Sequence, residues 1–366
     1  MRVLYDHQVF SLQNAGGASR YHYELMRYLA GAPENYAELF LGESGCAYPF
    51  EELPRSQAHV TRMGGSMKPG AARYALNELL GNMWCALGRF DIYHPTLYRR
   101  MPMGRARRLV ATHHDCVHER FPELFRNAQR IIKAKRRLYG EADAIICVSE
   151  SSRKDLIEFY GLDARKTWVI HHGLTPLPRS AKSEAELRTL VSRPYVLFVG
   201  KRGDYKGFDR LLRAFSSAGL DRSMNLVALG GGPLTAAEQA EVNRLGLRDC
   251  VISLPFVTDS LLAEAYAAAT LFVYPSLYEG FGFPPLEAMA LGCPALVSKT
   301  SSMPEVCLDA PFYFDPHDQS SFETALSEAV GDGAARSRAI ARGKEVAAQY
   351  RWQKCGEQTL ALYRAC

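Results

Sequence analysis

The sequence predicts an α/β protein with two domains, each built around a parallel sheet. Short apolar runs of the kind found in buried strands alternate with helical patterns along the whole chain. The alternation forms two sets, separated by a segment near 173–192 that contains prolines and polar residues and lacks periodicity. Two such sets indicate two Rossmann-like domains, and a chain of 366 residues is long enough for both.

The first half of the chain, 1–175, is expected to form the first domain. The predicted strands are 2–5, 37–41, 91–94, 109–112, 144–148 and 168–171. Helical patterns between them include 18–29 and 122–139. Ligands of open α/β sheets bind beyond the carboxyl ends of the strands, so we expect site residues there.

The second domain is expected over 193–345. Its predicted strands are 195–199, 225–229, 251–254, 271–274 and 295–297. Its predicted helices lie at about 207–218, 235–246, 259–269 and 284–291. The last segment, 346–366, is amphipathic and carries Trp352, Leu360 and Tyr363, so it is predicted to form a C-terminal helix.

The composition describes a soluble globular protein, with 47% hydrophobic and 23% charged residues. No apolar run approaches the roughly 18 residues that a membrane helix needs. The first residues resemble a strand interrupted by Asp6 rather than a secretory signal. Nine cysteines without CxxC pairs fit reduced thiols better than a disulfide framework, and no zinc-site spacing occurs. We therefore expect a cytoplasmic protein.

The net charge of +5 is concentrated in the first half of the chain. Within 99–137 there are twelve basic and three acidic residues. Such a cluster indicates a polyanionic partner, which could be anionic membrane lipid, a lipid-linked phosphate or nucleic acid, although a solvated helix face is an equal alternative. Only Phe121, Phe125 and Tyr139 could stack on bases, so no nucleic-acid partner is expected. Reversible, salt-sensitive contact with a membrane surface remains the hypothesis for this stretch.

The most informative stretch is 275–292, where two carboxylates flank a glycine turn between a strand and a helix. Gly280 and Gly282 allow a sharp turn, and a proline such as Pro284 suits the first turn of a helix. The helix N-terminus attracts an anion, while Glu279 and Glu287 can accept bonds from hydroxyls. A nucleotide sugar offers both groups. Taken alone, two glutamates at this spacing would more often be surface or capping residues.

The whole string, together with the Ala-Met-Ala-Leu-Gly-Cys-Pro that follows at 288–294, closely resembles the signature of the retaining glycosyltransferases of family four. The resemblance covers nearly the whole chain. It implies the GT-B fold, two Rossmann-like domains whose parallel sheets face an interdomain cleft, with 346–366 packed back on the first domain. It also implies that Glu287 holds the donor ribose hydroxyls. The residues implied to hold the donor sugar and its neighbouring phosphate are Glu279, Gly280, Phe281, Gly282 and Phe283.

Two elements of the first domain also resemble that family. Gly16 and Gly17 follow the first strand and open a helix, where paired glycines can form an anion-binding turn. The resemblance implies that they approach the donor diphosphate and the acceptor. His114 lies in a Thr-His-His-Asp run that ends a strand, and the resemblance implies that it hydrogen-bonds the donor sugar near the reaction centre. A histidine at a strand end is otherwise more often structural.

Two cations follow the first strand of the second domain. Arg202 and Lys206 come after a glycine turn, where cations would neutralise a leaving diphosphate. The resemblance assigns them that role, with Lys201 as an alternative to Arg202. Two solvated loop cations would be the simpler interpretation. Because the chain has no Asp-x-Asp tripeptide, we expect no metal and no cofactor besides the nucleotide-sugar co-substrate.

The sequence therefore predicts a retaining glycosyltransferase that moves a sugar from a nucleoside diphosphate to a hydroxyl of a glycan or lipid-linked saccharide. The stretches 16–21 and 300–305 look most like bacterial transferases of surface polysaccharide assembly, often mannosyltransferases, which favours GDP-mannose. A nucleotide-sugar epimerase of related fold is the alternative, and a basic nucleic-acid-binding protein is a more remote one. The predicted location is cytoplasmic, with peripheral contact at the inner face of the membrane.

Overall fold

The structure is a computed structural model that describes residues 1–13, 16–32, 34–54, 57–63, 71–98, 105–255 and 257–366. Residues 99–104 of the basic stretch lie outside the described residues, as do the side chains of Ala71, Arg105 and Asp204. The chain divides into two compact units. Unit 1 comprises Met1–Gly173 together with Arg351–Cys366, and unit 2 comprises Leu174–Tyr350.

The described part of unit 1 contains a seven-stranded parallel sheet in the order β3-β2-β1-β4-β5-β6-β7. Its strands are β1 Arg2–Tyr5, β2 Tyr36–Gly42, β3 Ala58–Arg62, β4 Arg89–Tyr93, β5 Arg105–His113, β6 Ala144–Cys147 and β7 Thr167–Val169. The helices between them are α1 Gln8–Leu12, α2 Gly17–Ala30, α3 Ala71–Leu87, α4 Val117–Arg120, α5 Ala128–Glu141 and α6 Glu150–Tyr160.

The described part of unit 2 contains a six-stranded parallel sheet in the order β10-β9-β8-β11-β12-β13. Its strands are β8 Tyr195–Val199, β9 Asn225–Leu229, β10 Val251–Leu254, β11 Leu271–Tyr274, β12 Ala295–Ser298 and β13 Phe312–Phe314. Its helices are α7 Ala181–Leu190, α8 Phe208–Ser217, α9 Ala236–Arg244, α10 Asp259–Ala268, α11 Phe283–Ala290, α12 Met303–Cys307, α13 Gln319–Gly331 and α14 Gly333–Ala347.

The last helix, α15 Trp352–Ala365, belongs to unit 1 and packs against α2. A Cβ added at Gly356 would come within 2.3 Å of the Tyr28 ring, so a glycine is needed for the two helices to approach this closely. The hydroxyls of Tyr363 and Tyr5 lie 3.0 Å apart and connect α15 to β1. The chain end is therefore part of the core of unit 1.

The two faces of the first sheet carry different helices. Leu39 and Leu41 of β2 belong to the core shared with α2 and α15, so Phe40 points to the opposite face. On that opposite face Phe40 meets Trp84 of α3, with ring centroids 5.9 Å apart. His113 of β5 bonds the hydroxyl of Tyr139 in α5 at 2.9 Å, and it alternates with Val110 and Thr112, which face α2. Helices α3 and α5 therefore cover the same face of the sheet.

The predicted fold class is confirmed, because both sheets are parallel and helices separate their strands. The predicted strands 2–5, 195–199, 225–229, 251–254 and 271–274 coincide with observed strands. Strands β1, β8, β9 and β11 carry apolar runs whose residues are mostly buried, as expected for strands covered on both faces, whereas β10 contains Ser253 and is half-buried at the edge of its sheet. Strands β3 and β13 were not predicted.

Two predicted segments were wrong in their structure. The helix predicted over 122–139 begins only at Ala128. Residues 122–124 form a single 3₁₀ turn, and the flanking Phe121 and Phe125 are not helical. A residue before a proline, as Phe121 is, disfavours the helical conformation. The segment 173–192 is not irregular throughout, since it contains α7. The Ser180 hydroxyl accepts the N–H of Ser183 at 3.1 Å, so this helix has the N-cap that its sequence encodes.

No helix in the described ranges combines the length and apolar character required to span a bilayer.

Candidate functional site

In unit 2, the predicted turn after β11 has a left-handed backbone at Gly282, one of its two glycines. Gly282 has φ 105° and is the N-cap of α11. A Cβ there would lie 2.3 Å from the Met303 side chain, and a left-handed backbone already disfavours other residues. Pro284 and Pro285 lie in the first turn and contribute no N–H, so amide donors of that turn can come only from Gly282 and Phe283.

The loop after β8 approaches the loop after β11. Gly207 has φ 70°, and a Cβ there would lie 2.4 Å from the carbonyl oxygen of Pro275. The N–H of Leu277 donates to the carbonyl of Tyr205 at 2.7 Å. Strands β8 and β11 are neighbours in the sheet, so these contacts join two loops at one sheet edge. They bring Lys206 next to the residues that follow β11.

Lys206 and Glu279 form an ion pair across these two loops. The Nζ of Lys206 lies 2.5 Å from Oε1 of Glu279, and the side chains are 17% and 13% exposed. Burial alone would lower the pKa of Lys206, but the negative charge of Glu279, with Tyr274 and Tyr205, raises it above its ordinary value. Lys206 is therefore charged at neutral pH and lies at the carboxyl end of the sheet.

Two serines hold the Glu279 turn in place. The Glu279 N–H donates to Ser301 Oγ at 2.9 Å, and Ser302 Oγ donates to the carbonyls of Glu279 and Phe281 at 2.9 and 3.0 Å. Ser301 has φ 47°, which is uncommon for a residue other than glycine. The supporting role of these two serines was not predicted from the sequence, in which 300–305 indicated only a family likeness.

Glu287 lies on α11 and is half-buried. The hydroxyl of Tyr266, from α10, donates to Glu287 Oε2 at 3.2 Å. Burial, followed by the charge of Glu287, raises the pKa of Tyr266 well above its ordinary value, so the phenol keeps its proton and remains a donor. The Tyr266 bond fixes one carboxylate oxygen of Glu287 on the helix that follows the glycine turn.

The structure places the Arg202 guanidinium against the glycine turn that follows β9. Its guanidinium donates to the carbonyls of Gly230, Gly232 and Pro233 at 2.6, 2.7 and 2.8 Å and to Glu238 at 3.0 Å. Its side chain is 2% exposed. Arg202 therefore stabilises the glycine turn after β9. The alternative cation, Lys201, is exposed.

That turn needs such support because three successive glycines, Gly230, Gly231 and Gly232, have φ of 81°, 75° and 80°. A cavity of about 1110 Å³ adjoins it, and Lys201 and Arg202 are among its lining residues. Its lining does not include Lys206, Glu279 or Glu287. The cavity therefore does not coincide with the three side chains predicted to bind the donor.

In unit 1, His114 follows β5 inside an aromatic cluster. Its ring lies 5.7 Å from that of Tyr21 and 5.8 Å from that of His172. Burial lowers the pKa of His114 to about 4, so the imidazole is neutral near pH 7. Its Nε2 is buried and has no hydrogen-bond partner among the described residues. A neutral imidazole with an unused nitrogen can bind a hydroxyl.

A buried ion pair holds the loop that carries His114. Lys135 Nζ donates to the carbonyl of Asp115 at 2.8 Å and lies 3.0 Å from Glu119, which also accepts from the hydroxyl of Tyr160. Lys135 is fully buried. Burial alone would raise the pKa of Asp115, but Lys135 and the Val117 N–H lower it. Lys135 is one of the basic residues of 99–137, but it faces the protein interior and adds no charge to the surface.

Gly16 and Gly17 stand at the start of α2. Gly16 is the N-cap, and its carbonyl accepts from the hydroxyls of Ser19 and Tyr48 at 3.1 and 3.3 Å. Gly17 is the first residue of the helix, whose first turn contains no acidic side chain. The structure thus puts both glycines at a helix N-terminus beyond the carboxyl end of β1.

Comparison with known proteins identifies the family of the chain. The family described as "Glycosyltransferase Family 4" matches residues 15–176, and the one described as "Glycosyl transferases group 1" matches 181–346. The chain is 31% identical over 285 residues to O-antigen chain mannosyltransferase B of Escherichia coli, covering 75% of this chain and 74% of that protein. The chain belongs to glycosyltransferase family four. This glycosyltransferase is also 27% identical over 334 residues to the D-inositol 3-phosphate glycosyltransferase of Xylanimonas cellulosilytica, covering 87% and 76% of the two chains.

Solved structures show the same GT-B fold. Sucrose-phosphate synthase from Thermosynechococcus elongatus aligns with a TM-score of 0.79 at 19% identity, covering 100% of this chain and 98% of that one. Anabaena Alr3699/HepE in complex with UDP-glucose aligns with a TM-score of 0.76 at 18% identity, covering 100% of both chains. At these identities the likeness concerns the fold alone.

Proposed function

We propose that this glycosyltransferase moves a sugar from a nucleoside-diphosphate donor to a hydroxyl of a glycan or lipid-linked saccharide, with retention of the anomeric configuration. The observation that carries the proposal is the Lys206–Glu279 ion pair beside a glycine turn that opens α11. A cation, a carboxylate and a helix N-terminus at one sheet edge suit a substrate that combines hydroxyls with a diphosphate.

The donor is assigned to unit 2. Glu287, held by Tyr266, accepts bonds from the ribose hydroxyls, and Glu279 accepts from a hydroxyl of the sugar. Lys206 and the turn from Gly280 to Phe283 bind the diphosphate. Arg202 acts on the donor through the glycine turn that it braces, and Lys201 is the exposed candidate for direct phosphate contact.

The proposed reaction needs no carboxylate nucleophile. As the glycosidic bond breaks, negative charge grows on the departing phosphate, and Lys206 stabilises that charge. The same phosphate can accept the proton of an acceptor hydroxyl that attacks from the same face. His114, neutral and with a buried unused nitrogen, fits the bond to the donor sugar that the family resemblance implies. We propose that this chemistry proceeds without a metal.

We propose that GDP-mannose is the donor and that mannose is the sugar transferred. The support is the likeness to O-antigen chain mannosyltransferase B, and the serotype-specific mannosyltransferase WbdA is 25% identical over 315 residues. Other relatives have names that do not mention mannose, such as the D-inositol 3-phosphate glycosyltransferases. A lipid-linked acceptor would place the enzyme at the cytoplasmic face of a membrane.

A nucleotide panel tests the proposal. GDP, UDP and ADP are titrated separately while the thermal unfolding of the protein is followed. A nucleotide at 100 times its dissociation constant should stabilise the protein by about 2.7 kcal/mol, and we expect GDP to do so best. A preference for UDP would reject GDP-mannose and leave the transferase assignment intact. Stabilisation by none of the three would reject the donor site.

Transfer from GDP-mannose to saccharide acceptors is then measured, with an acceptor-free control. Glycosyl transfer requires the acceptor, whereas an epimerase would convert the donor without one. Sugar conversion in the acceptor-free control would therefore support the epimerase instead.

A further inference from the structure

Helix α3 has an outward face that is exposed among the residues the structure describes. Its exposed residues are all apolar: Ala72, Ala75, Leu79, Met83, Ala86 and Leu87. Residues Leu79, Met83 and Leu87 are 59%, 61% and 87% exposed. Helices at the surface of a globular protein normally direct charged and polar residues to solvent. A contiguous exposed apolar stripe instead marks an interaction surface.

The two charged residues within 72–87 do not interrupt this stripe. Arg73 is buried, and Glu78 is half-buried, with its carboxylate 3.7 Å from His7. The inward side of the same helix is occupied by packing against β2, where Trp84 meets Phe40. The spacing of Leu79, Met83 and Leu87 at four-residue intervals keeps them on one side of the helix.

Helix α5, on the same face of the sheet, exposes cations. Arg130, Lys133, Arg136 and Arg137 are exposed, whereas Lys135 and Tyr139 are buried beneath them. Arg130 and Lys133 have no ion-pair partner within the described ranges, and Arg137 makes only the exposed pair with Glu141. One face of the first sheet therefore presents an apolar stripe on α3 and a basic stripe on α5.

We propose that this face docks on an anionic lipid bilayer, with α3 contributing apolar contact and α5 charge. The docking surface consists of Leu79, Met83, Leu87, Arg130, Lys133 and Arg137. Apolar side chains lower their free energy at the acyl boundary, and lysine and arginine are attracted by acidic head groups. The charge of α5 selects a lipid surface over a second copy of the chain, because two copies would bring the like charges of α5 together. Membrane docking would give the enzyme access to a lipid-linked acceptor, and only this purpose of the docking rests on the proposed function.

Vesicle flotation tests the proposal with full-length protein. The probes are phosphatidylcholine vesicles with and without phosphatidylglycerol, at low and high salt. We expect binding to the vesicles that contain phosphatidylglycerol, with release at high salt. Two variants test the two parts of the docking surface separately. Leu79→Gln/Met83→Gln/Leu87→Gln removes the apolar stripe of α3. Arg130→Glu/Lys133→Glu/Arg137→Glu reverses the charge of the basic stripe of α5. Each should weaken vesicle binding about tenfold or more.

Matched controls change unit 2 in the same way. Leu190→Gln replaces an exposed leucine of α7, and Lys182→Glu/Arg188→Glu/Arg338→Glu reverses three exposed cations. Both should bind vesicles as the wild type does. Circular dichroism spectra of all variants are compared with that of the wild type to check that each is folded. Binding unchanged in both α3 and α5 variants, or no wild-type binding, would overturn the proposal.

Two further readouts separate this inference from its alternatives. Light scattering that shows a dimer lost only in the α3 variant would overturn the proposal in favour of a second copy on this face. Transfer to a water-soluble acceptor should be unchanged in the α3 and α5 variants, since none of the substituted residues belongs to the proposed site. A wild type that binds vesicles but transfers no sugar would reject the proposed function and uphold the docking surface.

Discussion

The ammonium group of Lys206 lies 2.5 Å from the carboxylate of Glu279, across the loops that follow two neighbouring strands. The cation proposed for the leaving diphosphate and the carboxylate proposed for the sugar therefore hold each other in position. Because both side chains are largely buried, removing either one leaves the charge of the other unpaired and poorly solvated. The ion pair therefore fixes the relative positions of two side chains of the proposed donor site.

The first prediction concerns Glu287. Glu287→Ala should weaken binding of the donor nucleotide by about 1.5–3 kcal/mol, since a charged hydrogen-bond acceptor for the ribose is lost. Calorimetric titration measures this. Tyr266→Phe is the matched control, because it removes the 3.2 Å bond to Glu287 but retains the carboxylate, and its effect should be smaller. Equal nucleotide affinity in wild type and Glu287→Ala would reject the ribose assignment.

The second prediction separates the two cations after β8. Arg202→Ala should lower the free energy of unfolding by about 2 kcal/mol or more, because the carbonyls of Gly230 and Gly232 lose their buried donor. Lys201→Ala should leave stability nearly unchanged, since its side chain is exposed. Thermal melts compare the two variants. A normal melting temperature for Arg202→Ala would mean that the guanidinium does not brace the turn.

The third prediction concerns acid. Burial lowers the pKa of His94 to about 3 and that of His114 to about 4, against about 6.5 in an unfolded chain. Between pH 6.5 and 4 the unfolded state binds more protons than the folded one, so stability must fall as pH falls through this window. Each such histidine contributes a slope of up to about 1.4 kcal/mol per pH unit.

Urea denaturation at several pH values measures that slope in wild type and in His114→Asn. Carboxylates contribute equally to both proteins, so the difference isolates the imidazole. The variant should lose stability less steeply between pH 6.5 and 4. Identical slopes would show that His114 is protonated in the folded protein as readily as in the unfolded chain.

The fourth prediction concerns metal. Because Lys206 and the N-terminal turn of α11 are proposed to balance the charge of the diphosphate, transfer should continue at full rate in excess EDTA. Added Mg²⁺ or Mn²⁺ should not increase it. Activity that disappears with EDTA and returns with either ion would contradict the proposal.

Local sequence signals predicted the elements that depend on local chemistry. The strands β8 to β11 were each predicted at their observed bounds, from apolar runs interrupted only by Asn225 in β9 and Ser253 in β10. The glycine turn at Gly282 was found because its glycines and prolines encode one backbone path. Strand β3 was missed because it is an outermost strand of its sheet and is half polar. Strand β13 was missed because it is only three residues long.

Tertiary contacts decided what the sequence could not show. Nothing near Arg202 in the chain indicates that its guanidinium would meet carbonyls some thirty residues later. Lys135 looks like its basic neighbours on α5, and only its helical phase relative to Glu119 buries it. The outward face of α3 was also not predicted from the sequence, because a helix that is apolar on both sides gives no clear amphipathic pattern.

The most direct test of the account is the turnover of Lys206→Ala at saturating donor. The charge that Lys206 meets grows as the glycosidic bond breaks, so its loss should reduce turnover far more than nucleotide affinity. A reduction of roughly a hundred- to a thousandfold is expected, as for other preorganised charge-stabilising groups. The exposed Lys182→Ala is the control and should behave as wild type. Wild-type turnover in Lys206→Ala would show that this lysine is a structural cation and would contradict the proposed mechanism.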